Sequence, residues 1–238
     1  MSSDGKRVLV TGAAKRIGRV IAIELSRRGF QVAIHFNTSR ADAEAVSREC
    51  GGAPIFQADL GDIPEIRRLF RQVRGEFGPL DCLVNNAARF TRIDPLRITE
   101  ADWDFIHNVN LKATFFCCQE FARQRGELGA GRIVNISSLG GIRPWAEHAH
   151  YCASKAGVIM LTKALAKAFA PQITVNSVAP GVISFNDVDA RVQKMIDATP
   201  MRRAGKPEEI AEAVGFFLTA PDFITGQILA VDGGLNDR

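Results

Sequence analysis

The sequence has one tyrosine, four histidines and five cysteines, and none of them falls in a metal-ligand spacing, so no metal is expected. The cysteines (Cys50, Cys82, Cys117, Cys118, Cys152) are odd in number and unevenly spaced. That argues against a disulfide framework and for reduced thiols in a cytoplasmic protein. Cys152 adjoins the tyrosine but has no evident base beside it and reads as a packing residue. No run approaches eighteen apolar residues, which excludes a membrane-spanning helix. The opening MSSDGKRVLV lacks an apolar core and a cleavage signature, so no secretory signal is expected. The formal charge is only +4 and no block of like charges appears, which argues against a nucleic-acid partner and for a local basic site for a phosphate. There is no Pro/Ser-rich linker, low-complexity run or fixed-period repeat, so residues 1–238 read as a single domain.

What is present is an alternation of strand and helix patterns. KRVLVT at 6–11 reads as a β-branched strand entering the turn GAAKRIG; a helix over 19–28 follows, stopped by Gly29, and then the strand QVAIHF. Helices are expected at 41–50, 63–77, 151–169 and 207–219, with one long helix over 99–124. Strands are expected at 53–57, 81–85, 132–137, 173–178 and 227–231. The reading is an α/β Rossmann fold: a doubly wound, mostly parallel sheet of about seven strands with helices on both faces. Residues 183–204 look irregular and follow the carboxyl end of a strand, where such sheets bind ligands, so they are expected to form a flap over the site.

The turn after the first strand holds Gly12 and Gly18, with Arg16 and Ile17 between them, where a dinucleotide turn wants three glycines. Its place, closing a strand and opening a helix, suits a pyrophosphate. Enzymes that use NAD carry an acid near the end of the second strand for the ribose 2′-hydroxyl. Here that region reads His35-Phe36-Asn37-Thr38-Ser39-Arg40, without an acid. Lys15 and Arg40 supply cations and Asn37 and Ser39 supply donors, a set that would hold a 2′-phosphate. The expected cofactor is therefore NADP(H).

The tyrosine, Tyr151, stands four residues before Lys155. On a helix that spacing puts both on one face. A neighbouring ammonium favours the phenolate, so Lys155 is expected to lower the pKa of Tyr151 toward the range of an acid–base catalyst. A serine hydroxyl brought near would hold a substrate carbonyl, and Ser138 precedes Tyr151 by thirteen residues. A half-buried tyrosine with a snorkelling lysine also produces this spacing in helices without any catalytic role.

Taken together, Thr11-Gly12-x-x-x-Arg16-x-Gly18, Asp59-Leu60, Asn85-Asn86-Ala87, Asn110, Ser138, Tyr151-x-x-x-Lys155, Pro180-Gly181 and Asp232-Gly233-Gly234 resemble the short-chain dehydrogenase/reductase family across essentially the whole chain. The resemblance implies a catalytic tetrad. Tyr151 is the general acid in reduction, Lys155 lowers its pKa and holds the nicotinamide ribose, and Ser138 binds the carbonyl. Asn110 kinks its helix to hold a water in a proton relay. It also implies that Asp59 and Leu60 lie by the adenine, Asn86 and Ala87 along the ribose, and Ile183 at the carboxamide, with Pro180 and Gly181 nearby. The family is usually tetrameric or dimeric, so a homotetramer or homodimer acting on a small-molecule substrate is implied.

Arg16 replaces the middle glycine of the turn, which is similar to pteridine reductases within the family. So is Asn-Asn-Ala-Ala-Arg-Phe, ending at Phe90, whose ring would stack on a pterin while Arg16 clamps a pyrophosphate and faces the ring. Those enzymes carry an aspartate where this chain has Ser138, and a serine suits carbonyl substrates better. On chemistry alone Phe90 is equally an apolar lining residue. Two substrates stay open: a pterin-like C=N compound or a carbonyl compound such as a 3-oxoacyl thioester. Arg16, Phe90, Ser138 and Tyr151 are the substrate-binding candidates. A catalytically silent NADP(H)-binding regulator is the competing class, and the presence of all four tetrad residues argues against it. A sugar-nucleotide epimerase would need an extra domain for which 238 residues leave little room.

Overall fold

The computed structural model describes residues 5–126, 128–185 and 190–237. Seven strands form one sheet: β1 (Arg7–Val10), β2 (Gln31–Phe36), β3 (Ile55–Gln57), β4 (Cys82–Asn85), β5 (Gly131–Ile136), β6 (Ile173–Pro180) and β7 (Ile228–Val231). Their order is β3-β2-β1-β4-β5-β6-β7 and every adjacent pair is parallel. The register pairs Val8 with Val32 on one side and with Cys82 on the other. Among the described residues eight α-helices accompany them: α1 (Arg16–Arg27), α2 (Arg40–Glu49), α3 (Ile63–Glu76), α4 (Glu100–His107), α5 (Ala113–Arg125), α6 (Ala149–Ala168), α7 (Ala190–Ala198) and α8 (Pro207–Thr219).

The apolar runs of β1, β4, β5 and β6 are buried on both faces, as a parallel sheet covered on both sides requires. Alternate side chains divide between two cores. Val8, Val10, Cys82 and Val84 face Ile21, Val46 and Val214 of α1, α2 and α8. Leu9 and Leu83 face Leu69, Phe121 and Leu165 of α3, α5 and α6. Strand order reverses direction at β1, between β2 and β4, so the carboxyl ends of β1 and β4 open a crevice there.

Three expectations are corrected. The single helix over 99–124 is broken: α4 and α5 are joined by a π-helical turn, Asn108–Lys112, in which the Ala113 amide bonds the Asn108 carbonyl. The segment 183–204 is not irregular throughout, because Arg191 to Ala198 and the preceding Ala190 are helical, with Ile196 buried. Residues 186–189 of that segment, expected to belong to a flap, lie outside the described residues. Third, α1 opens at Arg16, earlier than expected, which puts the nucleotide turn directly against the helix start.

Candidate active site

The turn after β1 is stitched to the exit of β4. Thr11 Oγ1 accepts the amides of Asn86 (2.9 Å) and Ala87 (3.1 Å), while Asn86 Nδ2 donates to the Thr11 and Gly12 carbonyls at 2.9 and 3.1 Å. These contacts leave no room for side chains. A Cβ on Gly12, whose φ is +63°, would stand 2.9 Å from Ala87 Cα, and one on Gly18 would stand 2.2 Å from the Gly12 carbonyl oxygen. Arg16 takes the place of the middle glycine and adopts a φ of +50°. That left-handed backbone costs a side-chain-bearing residue on the order of 1 kcal/mol or more. The arginine is exposed, and its guanidinium carbon lies 5.8 Å from the centre of the Phe185 ring.

Helix α6 sets Tyr151 and Lys155 one turn apart, both buried. Ser138 follows β5 and caps a 3-10 turn, Leu139–Gly141, by accepting the Gly140 amide at 3.0 Å. That turn lies directly on α6. A Cβ on Gly141 would meet the Lys155 carbonyl carbon at 2.7 Å, and one on Gly140 would meet Trp145 and Tyr151 ring atoms at 3.1 to 3.3 Å. The approach brings the Ser138 hydroxyl near enough to the Tyr151 phenol to favour its ionised form. Burial pushes Tyr151 up to about 12 against the lowering effect of Ser138, and burial brings Lys155 down to about 8. Burial thus outweighs the lowering of Tyr151 expected from Lys155. Lys155 Nζ donates to the Ile136 carbonyl at 2.8 Å, and desolvation dominates both groups.

Asn110 sits in the π-helical turn and is spent on structure. Its Oδ1 accepts the Arg89 amide at 2.7 Å, and its Nδ2 donates to the Arg89 carbonyl at 3.0 Å and to Ser154 Oγ at 3.1 Å. Its own carbonyl accepts the Thr114 hydroxyl at 2.7 Å. The loop held in this way carries Phe90, and a latch ties it to the approach of α6. His148 Nδ1 donates to the Thr91 carbonyl (3.0 Å), Thr91 Oγ1 bonds His150 Nε2 (2.7 Å), the Ile93 amide donates to the Glu147 carbonyl (3.0 Å), and Arg92 pairs with the Glu147 carboxylate. Phe90 consequently stacks on His148 at 4.7 Å and meets Tyr151 edge-on at 4.8 Å, and Trp145 lies parallel to Tyr151 at 6.1 Å. More than half of Phe90 remains exposed (57%).

A cleft of about 430 Å³ runs from the nucleotide turn to Tyr151. The sequence-predicted residues Gly12, Lys15, Arg16, Ile17, Gly18 and Asn37 line one end, with Asp59, Leu60, Asn86 and Ala87 behind them and Phe90 and Tyr151 at the other. Residues 12–236 match the family model described as enoyl-(acyl carrier protein) reductase. The 3-oxoacyl-(acyl-carrier-protein) reductase of Staphylococcus aureus is 39% identical over 97% of this chain and 98% of its own length. The chain belongs to the short-chain dehydrogenase/reductase family. A mutant short-chain dehydrogenase/reductase of Serratia marcescens superposes with a TM-score of 0.91 at 33% identity, covering 99% of this chain and all of the other. A blue fluorescent protein from a metagenomic library, solved with NADPH, superposes at 0.92 with 31% identity and 99% coverage of both chains. As a short-chain dehydrogenase/reductase, this protein is an oxidoreductase.

Several expected residues of this reductase fold stand off the cleft lining. Ser138, Lys155 and Asn110 lie behind Tyr151 and the Phe90 loop. Pro180 is buried at the end of β6, the Gly181 amide donates to the Val231 carbonyl at 3.0 Å, and Ile183 forms an isolated parallel bridge with Gly205. Ser39 caps α2 by position without a side-chain hydrogen bond. The two cations expected at the 2′-phosphate are paired on the surface, Lys15 with Asp42 at 3.0 Å and Arg40 with Glu44 at 3.6 Å. Reading the sequence missed His35, Arg89, Val109 and Phe185, all of which line the cleft. Of these, His35 alone carried a signal, as a polar residue in the apolar strand QVAIHF. No helix among the described residues is long and apolar enough to cross a membrane. Among the described residues no group of three or more His, Cys, Asp or Glu could hold a metal ion.

Proposed function

We propose that this protein is an NADP(H)-dependent reductase of a 3-oxoacyl thioester, with Tyr151 as general acid. The observation that carries the reading is the place of Tyr151, with the Ser138 turn packed beside it, at one end of a cleft whose other end is the Gly12–Gly18 turn. The chain fits a dinucleotide phosphate. Gly12 and Gly18 pack so tightly that the backbone itself forms the cradle, α1 begins there, and Lys15, Arg16 and Asn37 supply donors. When bound, the nicotinamide dinucleotide supplies the hydride. Ser138 orients the substrate carbonyl, and Tyr151, a phenol that burial keeps firmly protonated well above neutral pH, passes its proton to the carbonyl oxygen. Lys155, cationic below pH 8, offers a positive charge close to the phenolate that forms. Asn110 keeps the Phe90 loop in place. The Lys15–Asp42 and Arg40–Glu44 pairs are solvent-exposed, so a 2′-phosphate competes with the carboxylates for these cations at little expense.

The carbonyl substrate follows the relatives, which are named for 3-oxoacyl-(acyl-carrier-protein) reduction. A planar C=N substrate is the second reading, favoured by Phe90, Arg16 and Phe185 lining the same cleft as Tyr151. We also read the protein as a cytoplasmic homotetramer or homodimer, supported by five free thiols and by exposed Trp103, Phe105 and Phe216. The test is NADPH oxidation with an acetoacetyl thioester beside a dihydropterin. Turnover of the thioester alone supports the first reading, and turnover of the pterin alone replaces it with the second. In either case Tyr151→Phe is expected to retain NADPH binding and lose about 100-fold or more in turnover. A near-wild-type rate removes Tyr151 from the mechanism.

A further inference from the structure

His35 joins three strand ends through one buried ring. The residue is 2% exposed in the last turn of β2. Its Nδ1 accepts the Gly12 amide at 3.0 Å, and its Nε2 lies 3.1 Å from the Ala58 carbonyl. An acceptor at Nδ1 fixes the neutral tautomer with the proton on Nε2, which then donates to Ala58. Its backbone carbonyl accepts the Ala13 amide at 2.9 Å. Two consecutive amides of the nucleotide turn therefore end on one residue. The same ring holds the chain just past β3, at Ala58, the residue before Asp59 and Leu60, which also line the cleft. Gly12 packs closely on Ala87, where an added Cβ would stand 2.9 Å from the Ala87 Cα.

We infer that His35 is a positioning residue for the dinucleotide. It sets the direction of the Gly12 peptide, and so the mouth of the turn, and it holds that turn at a fixed distance from the Asp59–Leu60 wall. Apolar side chains of similar size fill the space but leave the Gly12 amide and the Ala58 carbonyl buried without partners. An asparagine retains one acceptor and one donor. The role is separate from proton transfer, since Ser138, Tyr151 and Lys155 hang on β5 and α6.

The inference rests on the NADP(H) reading, and the experiment separates the two. NADPH dissociation constants are measured for the full-length wild type, His35→Leu and His35→Asn, together with turnover at saturating NADPH. His35→Leu is expected to weaken NADPH about tenfold while turnover at saturation stays within about threefold, and His35→Asn is expected to recover most of the affinity. A folded His35→Leu protein with wild-type affinity overturns the inference and leaves the cofactor reading intact. Equal loss of affinity and saturated turnover also overturns it. A wild type that binds no dinucleotide brings down both. If His35→Leu does not fold, nitrogen NMR of the wild-type ring decides. A protonated Nε2 with a bare Nδ1 agrees with the inference, and the opposite tautomer overturns it.

Discussion

Lys155 gives its ammonium hydrogen bond to the Ile136 carbonyl, 2.8 Å away, and stands 6.0 Å from the centre of the Tyr151 ring. The strand end thus holds the lysine by its backbone, and the Ser138 hydroxyl lies near the phenol. A charge kept in so buried a place works against stability. The folded pKa is about 8 against 10.5 for a free lysine. Between those values the unfolded chain holds a proton that the folded protein has released, so stability rises with pH across that window. Below pH 8 the full penalty of burying the cation is present.

Lys155→Met is therefore expected to raise stability at neutral pH, by about 1–3 kcal/mol after the lost Ile136 hydrogen bond is deducted, and to remove most turnover. Urea denaturation and steady-state rates on the same preparation check both halves. In the wild type, turnover is expected to fall on the alkaline side as Lys155 loses its proton near pH 8, well before Tyr151 at about 12.

Asn110 supports the substrate side through Arg89. Both backbone groups of Arg89 end on its amide side chain. Asn110→Leu leaves these groups and the Ser154 hydroxyl short of a partner, at an expected loss of about 2–4 kcal/mol. Because the released loop carries Phe90, limited proteolysis should cut within 88–95 faster than in the wild type. An unchanged cleavage rate would show that the Thr91–His148 and Arg92–Glu147 latch suffices alone.

The parts of this molecule that depend on short-range pattern were legible in the residues. Val8 to Val10 and Ile133 to Ile136 announce buried parallel strands, and Tyr151 and Lys155 share a face at any helical pitch. The break between α4 and α5 was not. Apolar residues at Ile106, Val109 and Ala113 continue a helical period through it, so the sequence pattern carries no mark of the π-helical turn. His35 was hidden for another reason: its partners lie 23 residues away in both directions, at Gly12 and Ala58. The pairing of Lys15 with Asp42 was likewise invisible, because it requires the turn after β1 to meet the start of α2. Sequence shows the cations; only the fold shows their carboxylates.

That pairing bears on cofactor choice. Asp42 and Glu44 are acids beside the proposed 2′-phosphate, and each repels it while engaging a cation. Asp42→Asn is expected to tighten NADPH about two- to threefold without changing NADH, while Lys15→Ala and Arg40→Ala weaken NADPH alone. Ratios of kcat/KM for the two dinucleotides at low and high salt give the answer, and the discrimination should shrink with salt. Comparable efficiency with both dinucleotides in the wild type would show that these cations do not select the cofactor.

The contact between the Ser138 turn and α6 offers the sharpest steric test. At Gly141 a methyl group would lie 2.7 Å from the Lys155 carbonyl carbon, 2.8 Å from its oxygen and 2.9 Å from the Ala156 amide nitrogen. All three are helix backbone, so the neighbour cannot rotate away and the turn itself must lift. Ser138, three residues earlier, is then carried away from Tyr151. Gly141→Ala is expected to cost about 1–3 kcal/mol from overpacking, and to lower turnover by at least about tenfold even where the protein stays folded. Gly129 is the natural control for mutating a glycine near this strand: no atom lies within 4 Å of a Cβ there, although its φ of +96° disfavours alanine. Gly129→Ala should cost stability from backbone strain and leave turnover unchanged. If Gly141→Ala behaves like Gly129→Ala, with lower stability and an intact rate, then the position of Ser138 against Tyr151 does not limit the reaction.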